Sequence, residues 1–192
     1  MSTPTGHAAT PSSPARERLL DAAARVFYAE GIHAVGVDRL IGEAGVTRAT
    51  FYRHFPGKED LVVAYVERRD SAIRARAAAA AGTFATPRAI LSAVIDGVAA
   101  QLVDEAFRGC PFINVAAEYP DPDGPVRMAV DAHRRWFRDA LVDLLMGSGH
   151  GDPEFAADLL VMLRDGAQVA AYLGDPRRAR ASFERAAAGV LA

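Results

Sequence analysis

The residues with the clearest chemical potential lie between Gly45 and Lys58, where every charged side chain is a cation. Arg48, Arg53 and Lys58 fall in this window, which contains no Asp or Glu, and His54 adds a hydrogen-bond donor. Guanidinium and ammonium groups bind the phosphates and the base edges of DNA. Because the whole chain carries a net charge of −2, these cations form a local cluster, which is typical of a protein that reads specific DNA sequences.

Two short helices are predicted to position these side chains. The spacing of apolar residues predicts one helix over 37–44 and a second over 48–55. Gly45 ends the first helix, and Thr47 is the expected N-cap of the second. Two short amphipathic helices joined by such a turn indicate a helix-turn-helix, whose second helix lies in the major groove of DNA.

The second of these helices has two distinct faces. Phe51 and Phe55 are four residues apart, so both are expected to face the core. The opposite face then carries the side chains available to DNA: Arg48, Ala49, Tyr52 and Arg53. Ala49 has little bulk, which lets the helix approach the bases closely.

The remainder of the chain also shows helical periodicity, and no stretch alternates between apolar and polar residues in the manner of a strand. We therefore predict an all-α fold. Further helices are expected from Pro14 until Gly31, over 58–81, 87–106 and 126–146, from Pro153 to Leu173, and from Pro176 to Leu191. Residues 107–113 are expected to be irregular, and a short helix that ends at Tyr119 follows them.

Composition and motifs exclude several other classes of protein. Hydrophobic residues make up 51% of the chain and charged residues 24%, which permits a sizeable core. No catalytic, phosphate-binding or metal-ligand motif is present, so we predict no catalytic residue, no metal and no cofactor. No apolar run is long enough to cross a membrane and no secretory signal is present, so a cytoplasmic protein is expected. A small all-α enzyme and a helical interaction module are the alternatives, and the cationic cluster favours DNA binding over both.

Cys110 is the one cysteine, which excludes an intramolecular disulfide. Its apolar neighbours predict a small buried hydrophobic residue. A thiol sensor with Arg108 as the nearby cation is the alternative.

The segment GVTRATFYRHFPGKEDL resembles the recognition-helix signature of the TetR family of bacterial transcription regulators (TetR/AcrR type). The preceding segment ERLLDAAARVFYAEGIHAVGVDRLIGEAGV is similar to the first two helices of that family, and together they cover roughly residues 16–62. The resemblance implies a repressor that leaves its operator DNA when a small ligand binds, with an activator as the alternative. It also implies a homodimer, and therefore a palindromic operator.

The resemblance also implies roles for individual side chains. Arg48 and Arg53 match positions that reach bases or the nearby backbone, and Lys58 matches a phosphate-binding lysine. Phosphate or base contacts are implied for Thr47, Thr50, Tyr52 and His54. Many family members have a phosphate-binding Thr at the start of the second helix, where this chain has Gly36 and Val37, so only a backbone N–H remains there.

These patterns divide the chain into four predicted segments: a tail, a DNA-binding domain, a linking helix and a C-terminal domain. Residues 1–13 are rich in Ser, Thr and Pro and are expected to form a disordered tail, with a DNA-binding arm as the alternative. Residues 14–57 form the predicted DNA-binding domain and residues 58–82 a linking helix. Residues 83–192 form the predicted domain for dimerisation and ligand binding.

The last two helices carry apolar faces that predict a dimer interface, related by a two-fold axis and built from four helices. The alternative is that these faces are buried within one chain. The side chains expected in the interface are Phe155, Leu159, Met162, Gly166, Ala170, Phe183, Ala187 and Val190.

The helices between residues 87 and 146 are the expected location of the ligand pocket. Their aromatic and aliphatic side chains favour an apolar or aromatic ligand, although they suit an ordinary helical core equally well. The predicted contacts are Leu102, Phe107, Phe112, His133, Trp136 and Phe137.

Overall fold

The structure, a computed structural model, describes residues 13–191 and consists there of nine α-helices joined by loops. Within this range no residue belongs to a strand, and the all-α prediction is confirmed. The predicted tail lies outside the described residues except for Ser13, the N-cap of the first helix. The helices are α1 (Pro14–Glu30), α2 (Val37–Ala44), α3 (Arg48–His54), α4 (Lys58–Thr83), α5 (Pro87–Leu102), α6 (Pro111–Glu118), α7 (Pro125–Gly147), α8 (Pro153–Leu173) and α9 (Pro176–Val190).

Most helix ends follow from local chemistry. Gly31 and Gly45 end α1 and α2 with φ values of 84° and 60°, in the left-handed region that favours glycine. Asp152 and Asp175 are the N-caps of α8 and α9, and their carboxylates accept one and two hydrogen bonds, respectively, from backbone N–H groups of the first turn. A proline follows each of these aspartates at the first helical position, where no N–H is required.

The end of α5 differs from the prediction. The helix stops at Leu102 rather than at residue 106. The Oδ1 atom of Asp104 accepts a hydrogen bond of 2.8 Å from the N–H of Ala106, and this turn replaces the final helical turn. An Asp side chain that bonds to the backbone two residues later competes with helix formation.

The chain divides into two compact units, and the division falls between Val62 and Val63 inside α4. The described part of the first unit, residues 13–62, holds α1 to α3 and the beginning of α4. Its core is made by buried side chains from each helix, including Leu20 and Phe27 of α1, Leu40 of α2 and Phe51 of α3. This core fixes the orientation of α3.

The second unit contains the rest of α4 and helices α5 to α9. One apolar cluster joins α5, α7, α8 and α9 around Leu91, Leu145 and Leu160. A second cluster joins α5, α8 and α9 around Leu102 and Phe183.

Helix α9 contributes side chains of the predicted dimer interface to the core of its own chain. The side chains of Phe183 and Ala187 are buried inside the core of their own chain, and Val190 packs against the same core. The apolar face of α9 is therefore used within the chain, because α5 and α8 already cover it. Phe183 also lines a groove between α8 and α9 together with Met162 and Gly166, so the dimer contacts of α9 stay a prediction.

Candidate nucleic-acid interface and effector unit

A short turn sets the start of α3. After Gly45, the N–H of Val46 donates to the carbonyl of Ile41 at 3.3 Å, which closes the end of α2. The hydroxyl of Thr47 then accepts a hydrogen bond of 3.2 Å from the N–H of Thr50, as predicted for an N-cap. The Oγ1 atoms of the two threonines are also 2.9 Å apart, so both hydroxyls lie together at the start of α3.

The two faces of α3 are separated as the spacing predicts. Phe51 and Phe55 are buried, and their ring centroids lie 6.2 Å apart. The predicted DNA contacts are exposed or partly exposed: Thr47, Arg48, Ala49, Thr50, Tyr52, Arg53, His54 and Lys58. One surface of the first unit therefore presents two guanidinium groups, a phenol and several smaller donors.

Arg48 has a partner that the sequence reasoning missed. Its Nη2 atom donates to Oδ1 of Asp38, in the first turn of α2. The Arg48 side chain is 59% exposed and that of Asp38 is 78% exposed. This carboxylate is ten residues away in sequence, outside the acid-free window, yet it lies against the predicted base-reading side chain.

The starts of α2 and α4 frame this surface. Gly36 is the N-cap of α2. Lys58 is the first residue of α4. Just before it, the N–H of Gly57 donates to Oδ2 of Asp60 at 2.7 Å.

Ion pairs hold α1 against α2. Glu43 accepts from Arg25 at 3.1 Å and from Arg39 at 2.7 Å. Arg39 also donates to Glu30 at 3.1 Å. The hydrogen bond from Arg39 is the main cause that lowers the pKa of Glu43, and Arg25 adds to the effect. These pairs are exposed, so they contribute mainly to orientation and little to stability.

The second unit contains a cavity of about 530 Å³ between the later part of α4, α5 and α7. Trp136 and Phe137, two of the predicted ligand contacts, line it together with Ile90, Val94 and Val98. Leu102 and Phe107 instead belong to the apolar cluster formed with α8 and α9. The predicted pocket residues are therefore divided between the cavity and the core.

The remaining two predicted contacts, Phe112 and His133, stack on each other. Their ring centroids are 3.6 Å apart and the rings are nearly parallel, at 6°. The Nδ1 atom of buried His133 lies 2.8 Å from Oδ1 of Asp70, so the Nδ1–H donates to the carboxylate. Burial lowers the pKa of His133, although the hydrogen bond to Asp70 acts in the opposite direction. No partner for Nε2 is found within residues 13–191.

Cys110 is buried, as predicted. The cation beside its thiol is Arg164 of α8, whose Nη2 atom lies 3.5 Å from Sγ. Arg164 also lies over the ring of Phe137, 4.5 Å from its centroid. The sequence pointed to Arg108 instead, because a contact 54 residues away along the chain has no local signal.

One face of α8 is apolar and exposed. Phe155 is 63% exposed and Leu173 is 77% exposed, and Met162 and Val169 between them are also exposed. Gly166 and Ala170 are exposed on the same helix, and Leu159 is partly buried. An apolar face of this length is larger than isolated surface residues explain, which indicates an interaction surface.

The helices and the metal-ligating side chains of residues 13–191 bear on two other kinds of site. No helix among them is long and apolar enough to cross a membrane. No group of three or more His, Cys, Asp or Glu side chains within residues 13–191 is arranged to hold a metal ion.

A three-helix core that exposes its third helix after a glycine turn defines a helix-turn-helix DNA-binding protein. The family description "Bacterial regulatory proteins, tetR family" matches residues 19–65, and "Tetracyclin repressor-like, C-terminal domain" matches residues 85–187. The chain therefore belongs to the TetR family, as the sequence resemblance implied, and it is a DNA-binding transcriptional regulator. Proteins of this family are regulators, not enzymes.

Solved structures agree over nearly the whole chain. A TetR-family regulator from Streptomyces coelicolor is 49% identical with a TM-score of 0.88, and the match covers 94% of this chain and 95% of that one. Reduced NemR from E. coli is 27% identical with a TM-score of 0.77, covering 92% and 95% of the two chains.

Curated relatives match over shorter regions. The transcriptional regulator LmrA of Bacillus subtilis is 31% identical over 124 residues, which is 63% of this chain and 66% of LmrA. SrpR of Pseudomonas putida is 32% identical over 83 residues, 43% of this chain and 39% of SrpR. The chain thus aligns with less than two thirds of the length of each of these relatives.

Proposed function

We propose that this regulator is a repressor that binds a palindromic operator as a homodimer. A small apolar or aromatic ligand that binds the second unit releases it from DNA. The observation that carries the proposal is the exposed face of α3, which presents Arg48, Tyr52 and Arg53 while Phe51 and Phe55 hold the helix from behind. Such a rigid, cationic helix suits the major groove.

Each exposed side chain has a proposed role. Arg48 and Arg53 contact base edges or the adjacent backbone, and Ala49 permits a close approach to the bases. Lys58 binds a phosphate as a point charge at the start of α4. The remaining polar contacts to phosphates or bases come from Thr47, Thr50, Tyr52 and His54.

The proposed division of labour follows the chain. Residues 14–57, together with Lys58, bind DNA, and residues 58–82 form the linking helix. Residues 83–192 bind a second copy, and with the later part of the linking helix they bind the ligand. The exposed face of α8 supports dimerisation through Phe155, Leu159, Met162, Gly166 and Ala170. A two-fold dimer presents two identical α3 helices, which requires two inverted half-sites. A protein that controls transcription in this way acts in the cytoplasm.

The ligand site is the cavity between α4, α5 and α7. Its volume of about 530 Å³ falls in the ordinary range of small-molecule sites, roughly 300–1,000 Å³. Trp136 and Phe137 in its wall suit an apolar or aromatic ligand. The ligand releases DNA only if it binds the DNA-free conformation more tightly than the DNA-bound one.

Two variants test the assignment of DNA contacts. Arg48→Ala is expected to weaken operator binding by about 1–3 kcal/mol and to relax base preference, because a base-edge contact is lost. Lys58→Ala is expected to weaken binding to all DNA sequences and to reduce the salt slope by about one. Both are measured by fluorescence anisotropy with footprinted DNA from upstream of the gene, over a range of salt concentrations.

The matched control is Arg88→Ala, which removes an exposed arginine from α5 in the second unit. This control is expected to leave operator binding unchanged. The assignment is contradicted if Arg48→Ala and Lys58→Ala change sequence preference and salt slope identically. DNA binding by the first unit is contradicted if both bind like the control.

A further inference from the structure

The cavity in the second unit has one charged group that is held in place. Arg74 of α4 lines the cavity, and its Nε atom donates to Oδ2 of Asp70 at 2.6 Å. Its guanidinium carbon lies 4.4 Å from the centroid of the Trp136 ring, in a cation–π contact. Two independent contacts therefore fix the plane of this guanidinium.

The donors of Arg74 are only partly used. A guanidinium offers five N–H donors, of which Nε carries one. Within residues 13–191 the two terminal amino groups of Arg74 have no hydrogen-bond partner. They form the fork that binds a carboxylate through two parallel hydrogen bonds.

Two further charged side chains belong to the lining of the cavity. Arg76 of α4 is a second guanidinium, and Asp143 of α7 is the acidic residue in the lining. Gln101 is polar and neutral, whereas most of the remaining wall is aliphatic or aromatic. The carboxylates of Asp70 and Asp143 equal the two guanidinium groups in number, so the unused donors of Arg74, and not a net charge, favour an anionic ligand group.

We propose that the cavity binds an apolar carboxylic acid in its ionised form. The terminal amino groups of Arg74 hold the carboxylate, and the hydrocarbon part packs against Val94, Val98 and Phe137. The bond from Nε to Asp70 remains in place, so binding requires no rearrangement of Arg74. This inference rests on the proposed function, because it specifies the chemical class of the ligand for the same cavity.

Three probes of equal chain length test the ligand class: decanoate, decanol and decylamine. Binding to the full chain is measured by isothermal titration calorimetry and by the fluorescence of Trp136, the chain's one tryptophan. We expect decanoate to bind about tenfold more tightly than decanol, because a charge-assisted fork is stronger than a neutral hydrogen bond. Decylamine is expected to bind more weakly than either.

Arg74→Gln is expected to remove the preference for decanoate while decanol still binds. Arg74→Lys keeps the charge without the planar fork, so it is expected to restore part of the preference. The matched control Arg88→Gln removes an exposed arginine of α5 that does not line the cavity, and it is expected to behave as wild type. Thermal unfolding establishes that each variant is folded.

Several outcomes overturn the inference. It is wrong if decanol or decylamine binds as tightly as decanoate, if no probe binds, or if Arg74→Gln and Arg88→Gln behave alike. Failure of the proposed function gives a different result: decanoate binds with the expected dependence on Arg74, yet it does not release the protein from operator DNA. In that case the ligand class stands and the regulatory role does not.

Discussion

The ion pair between Arg48 and Asp38 predicts that removing a carboxylate will strengthen DNA binding. In the first unit the guanidinium of Arg48 donates a hydrogen bond to Asp38. When α3 docks in the major groove, Arg48 exchanges this hydrogen bond for a contact with DNA. On docking, the carboxylate of Asp38 would also bring a negative charge towards the negatively charged phosphates. Asp38→Asn removes both effects while keeping the size of the side chain.

The expected gain follows from the exposure of the pair. With 59% of Arg48 and 78% of Asp38 exposed, the pair contributes about 0.2–1 kcal/mol. Since about 1.4 kcal/mol corresponds to a tenfold change in affinity, operator binding should tighten by about 1.4-fold to fivefold. The gain should shrink as salt is added, because exposed charges are screened.

Fluorescence anisotropy with operator DNA at several salt concentrations measures the effect. Glu30→Gln is the matched control, since Glu30 is an exposed acid of the same unit that pairs with Arg39 and not with α3. Thermal unfolding accounts for any loss of the favourable interaction of Asp38 with the N-terminus of α2. If folded Asp38→Asn binds the operator more weakly than Glu30→Gln, then Asp38 orients Arg48 for DNA and the reasoning is refuted.

Two further predictions concern the second unit. Gly166→Arg should sediment as a monomer at micromolar concentration and bind the operator poorly. A Cβ at Gly166 or at Gly82 meets no atom within 4 Å, so both arginine variants should fold, and the control Gly82→Arg should remain dimeric. The free energy of unfolding should fall as the pH decreases below about 6.5, because burial lowers the pKa of folded His133 and the unfolded chain takes up the proton first. This fall should be smaller in His133→Asn, and denaturant titrations showing equal pH dependence in both proteins would contradict it.

The limits of the helices could largely be predicted because their signals are local. Gly31, Gly45 and the Asp-Pro pair at Asp152 each act on the backbone within one turn, so the residue type alone predicts the helix end. The end of α5 was missed because no glycine or proline marks it. There, the turn formed by Asp104 and Ala106 competes with the helix.

The partners of the helix faces could not be predicted in the same way. Periodicity shows that α9 has an apolar face, but the same pattern fits burial by a second chain or by α5 and α8, and the structure has the latter for Phe183. Likewise, Asp70 and His133 are 63 residues apart. Such contacts depend on the packing of whole helices, and they decide which predicted pocket residues reach the cavity.

Thermodynamic linkage gives the most demanding test of ligand-controlled DNA binding. If decanoate weakens operator affinity by some factor, then operator must weaken decanoate binding, summed over both sites of the dimer, by the same factor. Coupling between sites is typically about 5–150-fold, so operator affinity should fall with decanoate concentration and then reach a plateau. Direct competition for the surface of α3 would give no plateau, because decanoate and DNA would then exclude each other. We expect the plateau in wild type and in Arg88→Gln. In Arg74→Gln the same decanoate concentrations should leave operator affinity nearly unchanged. An operator affinity that keeps falling with decanoate, or that falls equally in Arg74→Gln, would show that release does not come from the cavity.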